Sequence, residues 1–418
     1  MQLYLKKGLV KMKHLIIGNS AAAIGAVEGI RQMNKSDQIT IISDEPYFTY
    51  SRPLISYLLS GKLSLEKMNY RSKSFYEDNH VTFKYAHAEK VDHLNKQVFL
   101  DDGDQMSYDK LLIATGSKAF IPPFAGLESV ENKTTFLSLD DVKKLDAMGL
   151  ESKRVLIIGA GLIGLKCAEG ITKKAQSVTV LDLAPQILSS ILDYDSSLIV
   201  KQHLEKKGIN FILSATAEKF TQNTLTLKDK TQIDFDILVL CVGVRPNASL
   251  LSGIAAIEKG VVINERAETS VPDIYAAGDV TNGVAILPNA YVTGECAGIN
   301  MAGGNKTISK MLPMNAIGFF GLNIITAGNY TGSIFELNKD SEFKRLFYQD
   351  GLLNGYIMIG NIAKAGIYTS LIREQTKLDT LDFPLICEKP QLMAFRLEER
   401  LEKLGGKVER MKFFQPEI

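Results

Sequence analysis

Two glycine-punctuated segments hold the residues best suited to chemistry. In "RVLIIGAGLIGLKCAEG", residues 154–170, an apolar run leads into Gly159, Gly161 and Gly164 and then into a helix-like stretch opening at Leu162 and Ile163. Glycines at that spacing let the chain turn tightly, let backbone approach a pyrophosphate and let helix pack on strand, while the helix N-terminus attracts phosphate oxygens. About twenty residues on, "SVTVLD" ends at Asp182, where an acid binds a ribose hydroxyl pair. The earlier segment "HLIIGNSAAAIGAVEGIR", residues 14–31, keeps Gly18 but carries Ser20 and Ala23 at the second and third glycine positions. Both replacements are small: Ser20 still permits close approach and offers a hydroxyl to phosphate, Ala23 packs helix on strand, and Ala21 opens the helix. The strand "DQITIIS" then delivers Asp44 and Glu45, one of which takes the ribose.

The elements that position these turns recur. "DQMSYDKLLIATGS" (104–117) and "TQIDFDILVLCVGV" (231–244) share Gln, an aromatic, Asp, Leu and Gly in register, so each reads as a strand running into a glycine turn, at Thr115–Gly116 and at Gly243. An internal duplication is the simplest account. At 418 residues the chain is long enough for two or three domains. Its 48 basic and 47 acidic side chains leave a net charge of +1, so no global field draws nucleic acid or an anionic membrane. The four cysteines, Cys167, Cys241, Cys296 and Cys387, include no CxxC pair, and the five histidines have no HxxxH or triad spacing. Neither a disulfide framework nor a metal site is expected, and a reducing cytoplasm fits. No run reaches the roughly 18 apolar residues of a membrane span, the N-terminus lacks a signal-peptide core, and Met12 is a plausible natural start.

With "GNSAAA", "EPYFTYSRPLISYLLSGK", "LLIATGS", "GAGLIG", "CVGVRPN" and "IYAAGDV" in this order, residues 13 to 375 resemble the FAD-dependent pyridine nucleotide-disulfide oxidoreductases. The likeness is to the branch of NADH:rubredoxin reductases and nitrite reductase flavin domains. It implies an α/β fold of two nested Rossmann-like domains plus a small C-terminal α+β domain: residues 1–118 with 245–310 binding FAD, 119–244 binding NAD, and 311–418 closing the chain. It implies FAD at the Gly18 turn, with Asp279 bonding the ribityl or pyrophosphate region, Gly278 giving the backbone room, and the helix near Asn289 aiming its N-terminus at the flavin. It places the nicotinamide nucleotide at Gly159. Asp182, followed by "LAPQIL" without Arg or Lys, favours NADH over NADPH, whose 2′-phosphate would meet a carboxylate.

Two departures and one match bear on the chemistry. Relatives that reduce disulfides carry a redox cysteine after the second strand, whereas here no cysteine precedes residue 167 and the segment reads "YFTYSRPLISYLL". Arg52 and Pro53 match the "RP" signature whose arginine lies against the flavin; the plainer reading is a solvated arginine at a helix start with proline in the first turn. Lys166 stands where many relatives carry Glu near the nicotinamide, so either Glu169 substitutes, the nicotinamide is held differently, or Lys166 is solvated. From about residue 311, glycine-punctuated strands and the hairpin signal "YQDGLL" indicate the C-terminal domain, which is expected to cover the flavin and support dimerisation or partner docking. A helical stretch with Leu392, Phe395, Leu397, Leu401 and Leu404 packs either on its own protein or on another subunit.

The expectation is therefore an NADH oxidoreductase passing hydride to FAD and electrons to a small iron-sulfur carrier or partner subunit, with a homodimer as one arrangement open to it. Its rivals are an NADH oxidase using dioxygen and a non-catalytic FAD/NADH redox sensor.

Overall fold

The computed structural model describes residues 11–309, 311–339, 341–391 and 394–395. They form two compact units: one runs to Pro185 and resumes over Gly208–Met311, and the other takes Gln186–Lys207 and the described residues from Leu312 onward.

The first unit contains two parallel five-stranded sheets. In spatial order, one has Ile274–Ala276, Lys110–Ile113, Lys13–Ile17, Gln38–Ser43 and Val81–Tyr85; the other has Ile209–Ile212, Ser177–Leu181, Arg154–Ile158, Ile237–Leu240 and Lys133–Thr135. Unbroken β-branched and leucine runs such as "KHLII" and "RVLII" suit strands covered on both faces. Alternation decides what covers them. Ile16, Ile39, Ile41 and Leu112 face Ala23, Val27, Ile30, Ala297 and Met301 of two helices. Leu15, Ile17, Ile42, Leu111 and Ile113 face Val91, Val98 and Leu100 of a three-stranded meander. The second sheet repeats the arrangement, with Leu156, Ile158, Leu238 and Leu240 against Phe220, Leu225 and Leu227 of a second meander. The duplication thus extends beyond the glycine turns to the meanders.

Helices Ala21–Met33 and Leu287–Met301 cross at unusually short range. A Cβ on Gly294 would fall 2.0 Å from the Ala22 carbonyl oxygen and one on Gly298 2.1 Å from that of Ala26. Reciprocally, Cβ atoms on Gly25 and Gly29 would fall 2.3 and 2.5 Å from the carbonyl oxygens of Tyr291 and Glu295. Backbone therefore packs directly on backbone.

The chain passes between the sheets along Ser117–Ala119 and returns along Val244–Pro246, two short strands paired antiparallel. The second unit is a five-stranded antiparallel sheet of Met314–Phe319, Leu322–Gly328, Leu352–Ile359, Glu342–Gln349 and Ser333–Lys339 in spatial order. Asp350 and Gly351, both at positive φ, make its central hairpin turn, as "YQDGLL" predicts. Helix Ala365–Glu374 buries Tyr368 and Leu371 in this unit's core. Helix Tyr194–Glu205 belongs to this unit too, tied through Asp193 to Arg345 at 2.6 Å. Of the expected terminal helix, Leu392, Leu397, Leu401 and Leu404 lie outside the described residues. Among those described, no helix is long and apolar enough to cross a membrane.

Gly294→Ala is expected to destabilise the protein by about 3 kcal/mol, the upper end of ordinary overpacking, because the clash is with backbone that cannot rotate away. Denaturant unfolding of the variant against the parent checks this.

Candidate functional site

Both glycine turns sit at the end of a central strand, where strand order reverses and a crevice opens in doubly wound sheets. Gly18 and Gly159 adopt φ of +113° and +115°. Their N–H groups donate to Ile42 O at 2.8 Å and Leu181 O at 2.7 Å. A Cβ on either would fall 2.1 Å from Ala114 O or 2.2 Å from Cys241 O. Glycine is therefore required twice over at each turn. The third position differs: a Cβ on Gly164 would meet Gly159 O at 2.0 Å, whereas Ala23, fully buried, accommodates its methyl. Neither Ser20 nor Gly161 supplies a side-chain cap, so the first-turn N–H groups after Ala21 and Leu162 stay available to an anion, Ile163 and Gly164 among them.

The acids differ between copies. Asp182 accepts hydrogen bonds from Ala160 N at 2.5 Å and Ala184 N at 2.8 Å, which holds its carboxylate at the glycine turn. Strand pairing places Ile42 where the second copy has Leu181, so Ser43 rather than an acid occupies the Asp182 position. Ser43 Oγ accepts from Glu45 N at 3.1 Å, the same local turn as Asp182 with Ala184. Asp44 and Glu45 therefore stand one and two residues further out. Asp44 is exposed, 3.7 Å from His87, and Glu45 pairs with Arg52 at 2.8 Å.

Around the first turn, Gly278 presses on Ala22 and Ala290, and its N–H donates to Thr293 Oγ at 3.0 Å. Next to it Asp279 is half-buried, and no described residue hydrogen-bonds its carboxylate. Burial raises its pKa, and the field of Arg52 opposes the rise. Arg52 and Asp279 are thus electrostatic neighbours. Arg52 lies 5.2 Å over the Tyr50 ring and donates to Leu137 O at 3.4 Å; burial works against its charge, but Tyr50 and Glu45 outweigh this and raise its pKa. Pro53 follows in the first turn of a short helix. The buried Asn289 donates to Val284 O at 2.6 Å at the start of helix Leu287–Met301. Thr115 Oγ donates to Asn247 O at 2.7 Å. Gly116 and Gly243 have open space where a side chain would be.

Lys166 is not solvated. Its ammonium lies 2.8 Å from the buried Glu169 carboxylate and 5.0 Å over the Tyr57 ring, while Lys62 reaches the other Glu169 oxygen at 3.3 Å. Glu169 is thus held by two lysines. All four cysteines are buried, and burial raises each thiol pKa.

The sequence reading passed over Asn19, between Gly18 and Ser20. Its side-chain oxygen accepts from Thr49 Oγ at 2.6 Å and Tyr76 Oη at 2.7 Å, and its amide donates to Tyr47 O at 3.0 Å. The signal was the tyrosine-rich "YFTY" next to the "RP" pair.

The model of the pyridine nucleotide-disulphide oxidoreductase family matches residues 12–294. The chain belongs to this family. Over 396 residues it is 30% identical to the epsilon subunit of an NADH-dependent phenylglyoxylate dehydrogenase of Aromatoleum evansii, covering 88% of this chain and 93% of that one. To an NADH-rubredoxin oxidoreductase of Clostridium acetobutylicum it is 26% identical, covering 84% and 92%. The fold matches that of a ferredoxin reductase of Rhodopseudomonas palustris with a TM-score of 0.82 at 21% identity, covering 94% of this chain and all of that one. Membership makes the protein an oxidoreductase with FAD and a pyridine nucleotide as cofactors, and the residues present suit them. The Gly18 and Gly159 turns each leave uncapped helix N–H groups for a pyrophosphate, and beside the first Asp279 offers a carboxylate without a hydrogen-bond partner among the described residues.

Asp279→Ala is expected to purify with little bound flavin, read from the absorbance of the purified protein. Asp182→Ala is expected to keep its flavin but to raise KM for NADH roughly 10- to 100-fold, the weight of one or two charge-assisted hydrogen bonds; steady-state kinetics checks it.

Proposed function

We propose that the protein transfers hydride from NADH to FAD and sends the electrons on, singly, to a small iron-sulfur carrier or a partner subunit in the cytoplasm. The observation that carries this reading is the pair of matching nucleotide turns within one compact unit, one with Asp182 at its strand end and one with Ser43 there, in a protein whose thiols are all buried. The names of relatives that act with NADH, rubredoxin or ferredoxin support it. In this reading residues 1–118 with 245–310 bind FAD and 119–244 bind NADH.

FAD, when bound, accepts hydride from the nicotinamide and yields electrons one at a time. The chain's own part is to bind, orient and tune. Gly18 makes the tight turn from which Ser20, Ala21 and Ala23 present backbone N–H groups to one pyrophosphate, with Asp44 or Glu45 reaching the ribose, Asp279 holding the ribityl region, and Gly278 and Asn289 shaping the wall. Gly159 makes the matching turn for NADH, where Gly161, Leu162, Ile163 and Gly164 face the pyrophosphate, with Asp182 on its ribose. Thr115, Gly116 and Gly243 keep the space beside each nucleotide open. Arg52 and Pro53 border the flavin, where a cation that stays charged stabilises negative charge on the ring. Lys166, held by Glu169, shapes the nicotinamide end. With no thiol accessible, electrons leave by direct transfer to the acceptor, and the disulfide chemistry of the family name has no residue here to perform it.

Anaerobic rapid mixing with NADH should bleach the flavin quickly, and added rubredoxin or ferredoxin should restore it. Restoration by dioxygen alone would favour the oxidase reading, and no bleaching would defeat the NADH assignment.

A further inference from the structure

We infer that Tyr47, Tyr50 and Arg52 form a strut that fixes the spacing of the two nucleotide turns, which makes them positioning residues for hydride transfer. The inference rests on the assignment of those turns to FAD and NADH.

One end of the strut is anchored on the first turn. Asn19, next to Gly18, donates to Tyr47 O, and Thr49 and Tyr76 donate to its side-chain oxygen. The other end grips helix Leu139–Ala147, which follows strand Lys133–Thr135 of the second sheet. The buried Tyr50 hydroxyl accepts the Leu139 N–H at 3.0 Å. Arg52 donates to Leu137 O at 3.4 Å. Tyr47 donates to the Asp140 carboxylate and accepts from Lys143 Nζ at 2.8 Å. Beyond this grip the path is rigid. Strand Lys133–Thr135 pairs with Ile237–Leu240, and the next carbonyl, that of Cys241, is the one packed against Gly159. A continuous line of hydrogen bonds and strands thus joins Gly18 to Gly159.

Helix capping alone does not require this arrangement. Ser138 and Asp141 already form a capping box at the start of the same helix, with Ser138 Oγ accepting from Asp141 N at 3.1 Å and Asp141 accepting from Ser138 N at 3.0 Å. What the tyrosines add is direction. Another contact between the two sheets' helices is Ile55–Leu59 on Leu162–Ile171, where a Cβ on Gly170 would sit 3.1 Å from Ser56 O and 3.4 Å from the Leu59 side chain, and the same short helix also packs on Leu139–Ala147. The side chains that cross this contact, Lys62 to Glu169 and Lys166 over Tyr57, are long and flexible and tolerate sliding, whereas hydrogen bonds at Leu137, Leu139 and Asp140 hold one helix start at three points. Hydride transfer needs donor and acceptor about 3–3.5 Å apart, and a 1 Å displacement costs roughly 100-fold in rate. Burial holds the Tyr50 phenol pKa well above its ordinary value, so its hydroxyl keeps its proton across the neutral range.

The test is the Tyr47→Phe/Tyr50→Phe double variant of the flavin-loaded protein, which keeps both rings and removes both hydroxyls. Flavin content and the Kd for ADP-ribose should stay within twofold of the parent. The limiting rate of flavin reduction at saturating NADH should fall at least tenfold, and the long-wavelength charge-transfer absorbance with bound nicotinamide should weaken. In protein stripped of cofactors, amide exchange over residues 137–141 should accelerate. A limiting rate and charge-transfer band equal to the parent's would overturn the strut. If the double variant loses flavin, Asp140→Asn with Lys143→Met, both on the exposed side of the contact, decides on the same rate and exchange readouts. A parent protein that NADH does not bleach would defeat the functional assignment instead, a result distinct from an unaltered rate in the variant.

Discussion

Backbone-to-backbone packing of helices Ala21–Met33 and Leu287–Met301 is the constraint on which the first nucleotide site depends. Gly278, between Ala22 and Ala290, can lie there only because each helix presents no more than an alanine methyl, and Asp279 follows it. Widening the crossing by one methyl would draw the Asp279 carboxylate away from the helix start it adjoins. The composition of "AAAIGAVEG" follows from this, since alanine preserves helix propensity and glycine lets the partner backbone approach. The same economy of side chains leaves little in this region to fill the site if a ligand is absent. Flavin binding and the stability of this helix pair are accordingly expected to be linked.

Much of this was legible in the sequence. The two turns, their strands and the repeated return strands were readable because positive φ and excluded Cβ atoms force glycine at positions such as Gly18 and Gly159. The hairpin at Asp350–Gly351 was legible for the same reason. Three things were not. The offset that sets Ser43 opposite the Asp182 position is a matter of strand register, and adjacent Asp44 and Glu45 disguise it. The grouping of Gln186–Lys207 with the C-terminal residues depends on contacts such as Asp193 with Arg345, far apart in the chain. The tyrosine strut joins a hydroxyl to an amide nearly ninety residues away, and no local periodicity records such a pairing.

Charge near the nucleotide turns is arranged in closed groups. Arg52 is paired with Glu45 and lies over Tyr50, and Glu169 is shared by Lys62 and Lys166. A lone buried lysine or glutamate would shift its pKa and discharge, whereas paired groups retain their charge and their position. Lys166 is thereby fixed in place by an acid three residues on, which it shares with Lys62. Asp279 is the exception, a carboxylate with no described partner in a half-buried setting, and that marks it as a group completed by something other than protein.

The ribbon of Ser117–Ala119 and Val244–Pro246 has a mechanical consequence. A single connecting chain is a swivel, free to rotate about its own bonds. Two antiparallel chains joined by hydrogen bonds resist torsion and yield chiefly by bending in one plane. Any opening and closing of one nucleotide fold against the other is thus confined to a single arc, along which the two ligands separate and return without losing their mutual facing. Because entry and exit lie side by side, the outer fold also closes on itself without its insert, so an ancestral chain could have acquired or exchanged the inner module as a unit without disturbing the outer sheet.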